Sequence, residues 1–203
     1  MIKNIIFDID GVLTNMDDSC YRFLKTTYPE FKDLSYSDME KNFPIASDNG
    51  SFELPKPYSN SWKNSCFYLD RPPYADSFES LQKLKDEKLR LFGLTTAIDI
   101  EVKRAWIEKL FNPYFESTEV SPAGISKTES LKLLLSKFNL IKDETIFIDD
   151  RFMNVRDGLA SGVHVARMKR GINLPLPQDL SHVKEFNNMK DFVQYILNTN
   201  KYS

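Results

Sequence analysis

Asp8 and Asp10 stand two residues apart at the end of a short apolar run, and in an extended segment two such residues face the same side. A second apolar run, Thr145-Ile146-Phe147-Ile148, ends in Asp149-Asp150, and a third, over residues 89–94, ends in Thr95-Thr96. Lys127 opens a helical pattern marked by Leu131, Leu134, Leu135 and Phe138. Gathered at one place, these groups make an all-oxygen, multiply negative site with one ammonium beside it. Such a site suits a hard cation, Mg²⁺ above all when a phosphate supplies a further ligand. One aspartate can then attack phosphorus and form an aspartyl-phosphate. A second can protonate the leaving oxygen and later activate water. A lysine and a threonine hydroxyl can hold the phosphoryl oxygens as charge develops.

The elements that must position these groups follow from the spacing of apolar residues. Residues 2–9 are too few for a helix and suit a strand buried on both faces, stopped by Asp10-Gly11. From residue 16 to 74 the texture changes. Cys20, Phe23, Leu24 and Thr27 predict one helix ending near Pro29, and Pro44, Pro55, Pro57, Pro72 and Pro73 leave room for short helices at best. Beyond Pro73 the pattern is regular. Helices are expected over 74–88, around Val102, Ala105, Trp106 and Leu110, from Lys127 past Leu135, over 153–160 and over 189–197. Strands are expected over 89–94, 114–120, 145–148 and 163–166. Strands alternating with helices predict an α/β fold, a doubly wound parallel sheet with helices on both faces. Residues 1–15 and 74–203 then form the core, and 16–73 form a small, mainly helical insertion after the first strand. In such sheets ligands bind beyond the carboxyl ends of the strands, where Asp8, Asp10, Thr95, Thr96, Asp149 and Asp150 all fall.

Composition limits the partners. A chain of 203 residues with 41% hydrophobic and 28% charged residues suits one domain with a small insertion. The 27 basic and 29 acidic side chains give a formal net charge of −2, so no global basic field exists to hold a nucleic-acid polymer. Two cysteines, Cys20 and Cys66, cannot form a disulfide framework and have no zinc-site spacing. No stretch approaches the roughly 20 apolar residues of a membrane span, and acidic residues interrupt the first apolar run, so a cytoplasmic protein is expected. His164 reads as a strand residue without a catalytic task, and Arg151, Arg167, Lys169 and Arg170 as solvated side chains. The sequence leaves the oligomeric state open.

Asp8-Ile9-Asp10-Gly11-Val12-Leu13-Thr14 resembles the DxDGxxT nucleophile motif of the haloacid dehalogenase (HAD) superfamily. Leu94-Thr95, Lys127 and Ile146-Phe147-Ile148-Asp149-Asp150 resemble the second, third and fourth motifs, in the same order. The resemblance implies Asp8 as nucleophile and metal ligand, and Asp10 as general acid/base with its carbonyl on Mg²⁺. It implies Thr95 and Lys127 as phosphoryl ligands, with Thr96 beside them, and Asp150 as a further metal ligand assisted by Asp149. Asn154 stands where many members carry another aspartate. Asp10 itself excludes the dehalogenase branch, which has no acid there. Cys66-Phe67-Tyr68-Leu69-Asp70-Arg71-Pro72-Pro73 and Lys103-Arg104-Ala105-Trp106-Ile107-Glu108 are also similar to segments of the 5′(3′)-deoxyribonucleotidases. That likeness implies a nucleoside monophosphate as substrate, with Phe67 or Tyr68, Phe67 favoured, stacking on the base. The other expectations of the superfamily are a small-metabolite (sugar-phosphate) phosphatase, a phosphomutase, or a catalytically silent phosphate-binding domain.

Overall fold

The computed structural model describes residues 1–39, 43, 45–46, 51–52, 54–170 and 172–202. Six parallel strands form one sheet in the order β5-β4-β1-β6-β7-β8. They are β1 (Asn4–Phe7), β4 (Arg90–Ala97), β5 (Ser117–Pro122), β6 (Thr145–Asp149), β7 (His164–Met168) and β8 (Lys184–Phe186). β1 sits at the centre with Ile5 opposite Leu91 on one side and Ile146 on the other. Every residue of β1 and β6 is buried, which is why both read as unbroken apolar runs.

The alternation of side chains along β1 divides the core in two. Ile5 and Phe7 face helices α3 (Ser77–Asp86), α4 (Ile100–Phe111) and α7 (Met189–Lys201), through Leu81, Leu84, Ile107, Phe111, Phe192 and Ile196. Ile6 faces the opposite side with Phe92, Leu94 and Phe147, against Leu131, Leu134 and Leu135 of α5 (Lys127–Lys137). Helix α6 (Phe152–Ser161) lies beside α5. Helices therefore cover both faces, as the sequence predicts.

Two details of the sheet differ from the sequence reading. The expected 114–120 strand is shifted to Ser117–Pro122, because Tyr114 and Phe115 close the preceding turn by accepting no ladder and bonding back to Phe111. The edge strand β8 is absent from the sequence reading. It is three residues long and mostly charged, which protects a sheet edge but removes the apolar signal.

Residues 16–73 leave after β1 and return before α3. They hold α1 (Met16–Thr27), a two-residue antiparallel pair β2 (Ile45–Ala46) and β3 (Ser51–Phe52), and α2 (Lys56–Lys63). The β pair is a difference from the expected short helices. This segment has its own apolar cluster, with Cys20, Phe23, Leu24, Met39, Phe43, Leu54 and Trp62, joined by Ile172 from the loop after β7. Its two crossings to the sheet are stitched together. Asn15 N–H donates to the Pro72 carbonyl at 2.8 Å and Tyr74 N–H to the Leu13 carbonyl at 3.0 Å, around an antiparallel Thr14–Pro73 bridge. Among the described residues no helix is long and apolar enough to cross a membrane.

Candidate active site

The site forms at the carboxyl ends of β1, β4 and β6, where the parallel sheet delivers Asp8, Thr95 and Asp149-Asp150 side by side. Asp8, Asp149 and Asp150 are all buried, and each offers a carboxylate oxygen within 4.8 Å of the others. Lys127, also buried, reaches this group from the first turn of α5. Its Nζ lies 2.8 Å from Asp8 Oδ1 and 2.7 Å from Asp149 Oδ2. The start of α5 is held in turn by Asp157 of α6, whose carboxylate accepts from Lys127 N–H at 2.7 Å and from the hydroxyls of Ser126 and Thr128.

Three buried carboxylates cluster here, and Lys127 contacts two of them, Asp8 and Asp149, so the cluster carries a surplus of negative charge when all are ionised. Burial, together with repulsion from Asp149 and Asp150, pushes the Asp8 carboxyl up to about 7 against the pull of Lys127. Burial alone would lower the Lys127 ammonium, but Asp149 and Asp8 outweigh it and hold it well above its usual range. A buried, all-oxygen cluster with this surplus fits a divalent hard cation. The side chains that would hold it are those of Asp8 and Asp150. Asp149 gives both oxygens to protein donors, Oδ2 to Lys127 and Oδ1 to Arg151 N–H at 2.9 Å and Asn154 Nδ2 at 3.0 Å.

Asp10 turns away from this group. Its Oδ2 lies 2.7 Å from both Arg71 Nη1 and Lys103 Nζ, and its Oδ1 accepts from Thr14 Oγ1 at 3.2 Å. Burial alone would raise the Asp10 carboxyl. Arg71 and Lys103 outweigh that and hold it well below the usual carboxylate range. Lys103, fully buried on α4, is pushed down to about 8, with Asp10 opposing the shift. The Arg71 guanidinium lies against two rings, 4.4 Å from the Tyr68 centroid and 4.6 Å from that of Trp106.

A cavity of about 510 Å³ opens over these groups. Asp8, Asp10, Thr95, Thr96 and Lys127 line it from the sheet side, and Met16, Cys20, Leu54, Trp62, Tyr68 and Arg71 from residues 16–73. Phe67, favoured from sequence as the ring facing the site, does not line it. Its ring packs edge-on against Phe23 at 5.9 Å, with the Arg22 guanidinium over it. Tyr68 does line the cavity, but Arg71 already occupies a face of its ring.

Arg71, Lys103 and Asp157 have no assigned role in the sequence reading. Lys103 falls among polar residues of an amphipathic helix, and Arg71 among Asp70 and prolines, so neither pattern marks burial. Arg167 and Arg170, expected to be solvated, are buried. Arg167 Nε donates to the Asp150 carbonyl at 2.9 Å and Nη1 pairs with Glu185 of β8, while Arg170 pairs with Asp76. The β8 partner, itself unread, is what makes burial of Arg167 tolerable. His164 is exposed at the start of β7.

A sequence profile described as haloacid dehalogenase-like hydrolase matches residues 5–168, a span that contains all of these groups except Glu185 and Arg170. The chain belongs to the haloacid dehalogenase-like hydrolase family. No curated protein matches the chain at significant similarity. Solved structures share the fold of this HAD hydrolase. A candidate phosphoglycolate phosphatase from Lactobacillus delbrueckii subsp. bulgaricus superposes with a TM-score of 0.71 at 14% identity, covering 96% of this chain and 98% of that one. A candidate HAD-hydrolase, YfnB from Bacillus subtilis, in a form bound to magnesium, gives 0.68 at 11% identity, covering 96% and 98%. A candidate beta-phosphoglucomutase from Thermotoga maritima gives 0.64 at 15% identity, covering 97% and 99%.

Proposed function

We propose that this HAD hydrolase is a Mg²⁺-dependent phosphatase that cleaves a phosphomonoester of a small metabolite through an aspartyl-phosphate on Asp8. The observation that carries the reading is the placement of Lys127 Nζ 2.8 Å from Asp8 Oδ1, beside Asp149 and Asp150, with Lys127 and Asp8 lining one cavity. The Asp8 carboxylate attacks phosphorus, and the bond from phosphorus to the ester oxygen breaks. Asp10, held ionised by Arg71 and Lys103 in this structure, must leave them and carry a proton at this step, which it gives to that departing oxygen. Water then attacks phosphorus and loses a proton to Asp10, and the bond to Asp8 breaks to release inorganic phosphate. Lys127 and Thr95 hold the phosphoryl oxygens, with Thr96 at the rim. Asp8, Asp150 and the Asp10 carbonyl would bind Mg²⁺, which supplies charge neutralisation at the phosphoryl group.

Residues 16–73 act in this reading as a cap that selects the leaving group. They bring Met16, Cys20, Leu54, Trp62, Tyr68 and Arg71 to the cavity. A small metabolite is favoured over a nucleoside monophosphate for two reasons. Phe67 packs on Phe23, and Arg71 lies over the Tyr68 ring, so the pair expected to stack a base is engaged within the protein. Two of the fold neighbours also carry the names of a phosphoglycolate phosphatase and a beta-phosphoglucomutase. The test is phosphate release from a panel of phosphorylated metabolites with Mg²⁺, using the wild type and Asp8→Asn. Release by the wild type and none by the variant is expected. A nucleoside monophosphate as the preferred substrate would reverse the choice of substrate class, and equal activity of the variant would end the covalent mechanism.

A further inference from the structure

Two groups of charged side chains meet the cavity through Lys127 and Asp8 and through Asp10 and Arg71. In the first, Lys127 faces Asp8 and the other carboxylates of the metal-binding cluster. In the second, Arg71 and Lys103 share a single carboxylate oxygen, Asp10 Oδ2. Two cations in contact with one carboxylate leave a surplus of one positive charge. Lys103 is fully buried and does not line the cavity, so its ammonium is committed to Asp10. Arg71 does line it, yet is itself only 2% exposed. Its Nε and Nη2 are buried and make no hydrogen bond among the described residues. A buried guanidinium with unused donors is costly unless an acceptor arrives. The Tyr68 and Trp106 rings lie 4.4 Å and 4.6 Å from the guanidinium carbon, measured to the ring centroids.

We infer that Arg71 is a specificity-determining residue that receives a carboxylate on the leaving group, so that the substrates are phosphate esters of small hydroxy acids. The inference rests on the hydrolase reading above and names its substrate class. A carboxylate fits better than a second phosphate on charge, because one surplus positive charge matches one negative charge. It also fits on shape, because a planar carboxylate can accept two parallel bonds from a planar guanidinium. Position agrees with both. Asp10 protonates the leaving oxygen, so a cation bound to Asp10 stands on the leaving-group side of the scissile bond, away from Lys127.

The experiment compares matched esters with Mg²⁺: 2-phosphoglycolate against 2-hydroxyethyl phosphate, and 3-phosphoglycerate against glycerol 3-phosphate, with p-nitrophenyl phosphate as a reference. A charge-assisted pair of this kind predicts that kcat/KM favours the carboxylate member by roughly 10- to 100-fold. Arg71→Met should bring that ratio close to one, and Arg71→Lys should leave an intermediate ratio, since an ammonium keeps the charge but not the fork. The ratio within each variant is the readout, so a general loss of rate through Asp10 does not imitate it. A wild-type ratio near one, with p-nitrophenyl phosphate still hydrolysed, overturns the inference and leaves the hydrolase reading standing. A ratio unchanged in Arg71→Met, in protein with a wild-type melting profile, also overturns it. Should Arg71→Met not fold, the wild-type ratio and Arg71→Lys decide. No hydrolysis of any of the five esters overturns the hydrolase reading and this inference with it.

Discussion

Gly11 lies against the carboxylate of Asp150 so closely that a Cβ on it would stand 2.6 Å from Asp150 Cγ. Its φ of +79° is a second reason for glycine, since side-chain-bearing residues rarely adopt it. The turn after β1 and the acid after β6 are therefore fitted to each other. Gly11→Ala should move Asp150, weaken Mg²⁺ binding and cost about 1–2 kcal/mol from the backbone alone. For a chain of this size that is a melting temperature lower by roughly 2–8 °C. Calorimetry with and without Mg²⁺ checks both effects.

Asp8 and Asp10 should fail differently. Asp8→Asn removes the nucleophile and a metal ligand, so turnover and Mg²⁺ affinity fall together. Asp10→Asn keeps the backbone carbonyl and should retain Mg²⁺ binding, while losing proton transfer worth roughly 10²–10⁴-fold in kcat. Isothermal titration of Mg²⁺ beside steady-state kinetics separates the two. Equal Mg²⁺ affinities in the two variants would contradict the assignment.

Lys127→Met leaves Asp8 and Asp149 buried without their shared cation. Breaking a buried pair in this way costs about 3–5 kcal/mol. The loss should be read by urea unfolding at pH 8 without metal, where Asp8 is ionised. It should shrink at pH 5, where the proton on Asp8 already relieves the charge. An equal loss at both pH values would argue against the Asp8 contact.

The pH dependence of metal-free stability follows from Asp8, held up at about 7, and Asp17, which burial raises to about 6. Both bind a proton more tightly when folded than when unfolded. Their stabilising contribution is complete below about pH 4 and is lost as pH rises through the folded values. Asp10 acts in the opposite sense, because its carboxyl is lowered, and its contribution is lost only on acidification below the usual carboxylate range. Mg²⁺ must displace the Asp8 proton, so the rise in melting temperature on adding Mg²⁺ should be larger at pH 8 than at pH 5. Thermal melts at the two pH values, with and without Mg²⁺, test this. A metal effect that does not change with pH would refute it.

What the sequence makes visible is local and periodic. The β1, β4 and β6 runs are legible because burial on both faces gives each an apolar centre, Ile5-Ile6-Phe7, Leu91-Phe92 and Ile146-Phe147-Ile148, and their ends place Asp8, Thr95 and Asp149-Asp150 on one rim. Lys127 is legible as the first residue of a clear helical repeat. Arg71, Lys103 and Arg167 are not, because a buried cation is written with the same letter as a solvated one. Its partner decides, and the partner is far away: Asp10 lies 93 positions from Lys103, and Glu185 lies 18 from Arg167 on a strand too short and polar to be read. The choice between Phe67 and Tyr68 was beyond reach for a similar reason. Adjacent rings in an irregular segment carry no periodicity, and here they are held in one turn of 3₁₀-helix.

The stitched pair of crossings between sheet and insertion has a mechanical consequence. Two chain segments bonded to each other at Asn15–Pro72 and Leu13–Tyr74 cannot swing independently, so they define a single axle. Asp10 stands on the sheet side of it, tied to Thr14, and Arg71 stands on the insertion side, next to Pro72. Any rotation about the axle thus changes the Asp10–Arg71 separation directly. The contact between Asp10 and Arg71 is thereby coupled to the angle between insertion and sheet.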